Sequence, residues 1–117
     1  MRLRLLLAGD YQIVRRRLRR LLQEHEGWQV VAEASDGRDA VRLAEAHRPD
    51  VAVIGLTMPV LSGIETTRRI VERSPVTRVI VLSTHADDVY VDEARRAGTV
   101  GLFTSPRLTR ADSRHSM

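Results

Sequence analysis

Two hydrophobic periods alternate along this chain. Leu3 to Ala8 is a short apolar run suited to a buried strand. From Ile13 to His25, Val14, Leu18, Leu21 and Leu22 recur at helical spacing with arginines on the other face. The pattern predicts a helix closed by Gly27. Trp28 to Ala34 alternates as a strand does. Asp36-Gly37 reads as a turn, and Ala40, Leu43, Ala44 and His47 mark a second helix. Arg48-Pro49 stops it, because the residue before a proline is pushed out of the helical region. Val51 to Ile54 has no polar side, as expected of a parallel strand buried on both faces. Gly63 to Glu72 carries Ile64, Ile70 and Val71 and predicts a third helix, followed by a Ser74-Pro75 loop. Arg78 to Leu82 predicts a fourth strand, Ala86 to Ala97 a helix stopped by Gly98, and Val100 to Phe103 a fifth strand.

Five strands alternating with helices imply an α/β fold, a doubly wound parallel sheet with right-handed crossovers. The expected strand order is the flavodoxin-like 2-1-3-4-5, whose functional cleft lies at the carboxyl ends of strands 1 and 3. Those ends hold Asp10 and Gly55. Residues 1–106 read as one domain and 107–117 as a polar tail in which only Leu108, Ala111 and Met117 are apolar. A last helix covering the sheet would therefore be short or missing.

At 117 residues the chain has the length of one domain. Aromatic residues make up 3%, so Val, Leu, Ile and Ala must build the core. No cysteine is present, which excludes disulfides, thiol catalysis and cysteine-ligated metals. The apolar start is too short for a signal peptide, and no run approaches the ~20 residues of a membrane span. A cytoplasmic location without a membrane partner is the expectation. Net charge is +4, and all 19 basic residues are arginine. No mechanism needing a lysine amine is open to these residues. The run Arg15-Arg16-Arg17-Arg19-Arg20 reads as a solvated helix face, or as a site for an anionic partner. His25, His47, His85 and His115 are too far apart for metal spacing. Ser83 has no visible base or oxyanion partner, which argues against a hydrolase.

The text Val51-Ala52-Val53-Ile54-Gly55-Leu56-Thr57-Met58-Pro59-Val60-Leu61-Ser62-Gly63 is an apolar strand, a loop, Met-Pro and then a glycine. With Gly9-Asp10, Ser83-Thr84 and Ser105-Pro106 in order, residues 2 to 106 resemble a bacterial response-regulator receiver domain. Arg78 to Val100 most resembles receivers attached to helix-turn-helix transcription regulators. The resemblance implies a site that binds magnesium and accepts a phosphoryl group. Family members carry an acidic pair where this chain reads Gly9-Asp10, an acceptor aspartate where it has Gly55, and a lysine where it has Ser105. Ser83 matches the family hydroxyl that meets the phosphoryl group, and the carbonyl of Thr57 matches a metal ligand.

Glycine has no side chain, so no acyl phosphate can form at position 55. One carboxylate and one carbonyl are too few to hold magnesium. Asp10 could equally be a helix cap, Gly55 a turn residue and Ser83 an ordinary hydroxyl at a strand end. The expectation is a degenerate, atypical receiver that is not an enzyme and holds no metal or cofactor. It would act by protein contact, as a homodimer or with a partner, and reach DNA only through a domain outside these residues. The alternative is a small-molecule sensor whose less charged cleft is lined by Asp10, Gly55, Thr57, Ser83 and Ser105. Nucleic-acid binding through the first helix is a further reading, with steep salt dependence as its mark.

Overall fold

The computed structural model describes residues 2–55, 60–83, 95–98 and 101–104. Its elements are β1 (Leu3–Ala8), α1 (Gln12–Gln23), β2 (Trp28–Ala34), α2 (Gly37–His47), β3 (Val51–Gly55), α3 (Gly63–Arg73), β4 (Arg78–Ser83) and β5 (Gly101–Thr104). Neighbouring strands pair in parallel in the order β2-β1-β3-β4, as the alternation of strands and helices leads one to expect. The backbone of β5 continues the sheet beside β4, with Ile80 opposite Gly101 and Ser83 opposite Thr104. Of the helix expected from Ala86, Arg95–Ala97 are described as helical, and Gly98 follows at φ 109. The expectation of a short or missing last helix falls on residues outside those described.

Two of the helices start on side-chain caps. Asp36 accepts from the Asp39 N–H at 2.8 Å, so the Asp36-Gly37 pair is the start of α2 and not a free turn. Ser62 accepts from the Glu65 N–H and starts α3 in the same way. Such caps satisfy backbone donors that have no partner inside the helix. Helix α2 ends at Arg48, in the left-handed region at φ 46, and Arg4 donates to the freed carbonyls of His47 and Arg48.

The sheet separates two unequal cores. On one face Ala52, Ile54, Val79 and Val81 are fully buried with Ala40, Ala44 and Ile70 beneath α2 and α3. On the other, Leu5, Leu7 and Val30 are buried, with Val14's helix contributing only the half-buried Leu18 and Leu22. No residue of α1 is buried. Val51 and Val53, which belong to this second core, are likewise half-buried. The expectation that β3 is buried on both faces therefore holds for one face only.

Candidate functional site

Strand register builds the site. Ala8 pairs with Ile54, so the next residues, Gly9 and Gly55, arrive together at the carboxyl edge of the sheet. Gly55 in turn lies opposite Leu82, which brings Ser83 to the same edge. Strand β3 thus ends in Gly55 and β1 is followed by Gly9, and Gly9, Gly55 and Ser83 come to the same edge of the sheet on the successive strands β1, β3 and β4. Thr57, His85 and Ser105 lie outside the described residues.

The loop after β1 is held by its backbone. Gly9 N–H donates to the Ala34 carbonyl at 3.1 Å, and its carbonyl accepts from Arg15 Nη1 at 2.6 Å. The Arg15 guanidinium also faces Glu33 at 3.5 Å, while Arg19 reaches the same carboxylate at 2.8 Å. A Cβ at Gly9 would meet only Arg15 Cγ, at 3.8 Å, an ordinary contact. The fold therefore has room for a side chain at this position. Asp10 is exposed and does not cap α1: the cap position is Tyr11, which makes no side-chain cap bond. No cluster of three or more His, Cys, Asp or Glu able to hold a metal occurs among the described residues.

The loop after β3 is described again from Val60, whose φ of 74 places a β-branched residue in the left-handed region. Val60 is 63% exposed and Tyr11, in the neighbouring loop, 70%. Arg15 is the site residue that sequence inspection passes over, because it sits inside a run of arginines. The usable signal is spacing: Arg15 and Arg19 are one helical turn apart and share one face, whereas Arg16, Arg17 and Arg20 share another.

A family profile described as the response regulator receiver domain matches residues 5–109. The transcriptional regulatory protein DegU of Brevibacillus brevis is 35% identical over 100 residues, covering 86% of this chain and 42% of that protein. The chain thus spans less than half the length of that relative. Among solved structures, a LuxR-family two-component response regulator from Aurantimonas sp. SI85-9A1 superposes with a TM-score of 0.86. It is 33% identical and covers 99% of this chain and 84% of its own. The signal receiver domain of the putative response regulator NarL from Mycobacterium tuberculosis gives 0.85 at 29% identity, covering 96% and 92%.

Proposed function

We propose that this chain, which belongs to the response regulator receiver domain family, signals without being phosphorylated. Receiver domains are signalling modules, and the relative DegU is a transcriptional regulatory protein. The observation that carries the proposal is Gly55 at the end of β3, next to the end of β1 that Gly9 follows, since Ala8 pairs with Ile54. Of the three positions at which the family resemblance expects a carboxylate, Gly9 and Gly55 lack any side chain and only Asp10 keeps one. Magnesium prefers near-octahedral oxygen ligands including carboxylates, and Asp10 alone is a poor substitute. The residues 1–106 act as the receiver-like unit, and the chain works through protein contact within, or beside, a longer DNA-binding regulator.

Mass spectrometry after treatment with magnesium and acetyl phosphate tests this. An unmodified protein is expected. A stoichiometric phosphate adduct on the folded domain sinks the proposal.

The small-molecule reading is favoured by the loss of charge at the strand ends, where Gly9, Gly55 and Ser105 stand in place of the two carboxylates and the lysine that the resemblance expects. It predicts a ligand-induced rise in melting temperature on screening organic ligands, unaffected by magnesium. A pure interaction module shows no such shift.

A further inference from the structure

Two residues between the end of β3 and the body of α3 are held unfavourably. Val60 is β-branched and sits in the left-handed region at φ 74, and with 63% of its surface exposed it has little packing to hold it there. Thr66 on α3 is fully buried, and its Oγ1 has no hydrogen-bond partner. The next residue shows the ordinary arrangement: Thr67 Oγ1 donates to the Gly63 carbonyl at 2.8 Å, one turn back. The Ser62 carbonyl, one turn back from Thr66, accepts from its backbone N–H at 2.9 Å and not from its hydroxyl.

The two meet at one point. A Cβ on Gly37, the first residue of α2, would strike Thr66 Oγ1, Leu61 Cβ at 2.5 Å and the Leu61 carbonyl at 2.8 Å. The unpartnered hydroxyl and the carbonyl that follows Val60 therefore face the same glycine. They are neighbours, yet no hydrogen bond joins them. Leu61 is half-buried against the larger core and precedes α3, so it can shift at lower cost than Thr66, which is fixed inside the helix.

We propose that residues 60–62 form a two-state conformational switch. In the second state Val60 leaves the left-handed region and the Leu61 carbonyl accepts a hydrogen bond from Thr66 Oγ1. One movement relieves both unfavourable features and loses some packing of Leu61, which keeps the two states close in energy. The second state holds roughly 1–10% of the molecules, a population that a ligand or partner binding it better can raise. The segment lies between Gly55, at the site's edge of the sheet, and the first turn of α3, and it packs on the first residue of α2. It therefore couples the strand edge to both helices over the larger core. The switch needs no phosphoryl group and stands apart from the reading that the chain is not phosphorylated.

The test is NMR relaxation dispersion on the full chain, with labelled amides and methyl groups, which reports exchange on the μs–ms scale. Exchange at one common rate is expected at Gly37, Val60, Leu61 and Thr66. Val60→Asn removes strain from the first state, since asparagine tolerates positive φ. Thr66→Val keeps the shape of the side chain and removes the hydroxyl. Each should cut the minor population about fivefold and raise the melting temperature, with folding confirmed by circular dichroism. Thr66→Ser, which keeps the donor, should keep the exchange. Absence of exchange at these residues in the unaltered chain overturns the proposal. Exchange that survives Thr66→Val overturns it too, because the hydroxyl then has no part in the second state. A lower melting temperature for Thr66→Val has the same force, since it would mean that the hydroxyl already has a partner in the first state.

Discussion

Single residues carry strain and close packing at defined points. Gly37 begins α2 where a Cβ would strike Thr66 Oγ1, Leu61 Cβ at 2.5 Å and the Leu61 carbonyl at 2.8 Å. The hydroxyl of Thr66 is itself buried without a hydrogen-bond partner, and backbone cannot yield cheaply on the Leu61 side. Gly37→Ala should therefore destabilise by about 1–3 kcal/mol in urea unfolding, although alanine is the better helix former. Val60 presents the opposite case. It is exposed, so it packs little, and its φ of 74 costs a β-branched residue about 1–3 kcal/mol. Val60→Asn should raise stability by roughly 1 kcal/mol in thermal unfolding, because asparagine tolerates the left-handed region. On α3, the Arg69 hydrogen bond holds the Glu65 carboxyl below its ordinary range against some desolvation, with Arg68 assisting. A depressed carboxylate stabilises the fold at neutral pH and loses that contribution as pH falls through its folded value. An NMR titration should place Glu65 below a free glutamate, and Arg69→Ala should move it back up.

At the scale of elements, α2 and α3 are integral and α1 is peripheral. Ile70 is fully buried in the larger core, whereas Leu18 is half-buried in the smaller one. Truncation removes transfer free energy and leaves a cavity in proportion to burial. Ile70→Ala should cost about 3–4 kcal/mol and Leu18→Ala about 1 kcal/mol, measured by denaturant unfolding with unchanged slope. Equal costs would show that α1 is as firmly seated as α3. No residue of α1 is buried, whereas α2 and α3 each bury four, so truncations along α1 should cost the fold least.

The site belongs to the whole molecule, because each strand end contributes one position and the register of the sheet alone brings them together. Restoring one group should therefore not restore the chemistry. Gly55→Asp places a carboxylate near Asp10 with no lysine to balance it, and the magnesium ligand set stays incomplete. We expect no phosphorylation of this single variant by acetyl phosphate in intact-mass measurement. Gly9→Asp, Gly55→Asp and Ser105→Lys together rebuild the family set, and Gly9 has the space for its part. Efficient phosphorylation of Gly55→Asp alone would mean that only the acceptor had been lost.

Local alternation and punctuation determined most of the architecture. The apolar runs Leu3 to Ala8 and Val51 to Ile54, the helical spacing of Ala40, Leu43 and Ala44, and the stop at Arg48-Pro49 act over a few residues, so they are legible without a fold. The glycines at 9 and 55 are equally plain, and parallel pairing at the expected order makes them neighbours. Tertiary structure decided what depends on distant partners. Asp10 lies beside a helix start yet leaves the cap to Tyr11, because the loop backbone is fixed instead by Ala34 and the Arg15 guanidinium. Val51 and Val53 read as core but stay half-exposed, since burial depends on what lies over a face and not on the strand's own composition. The five arginines of α1 are alike in sequence, and only the position of Glu33 on β2 separates the two it neutralises from the three left facing outward.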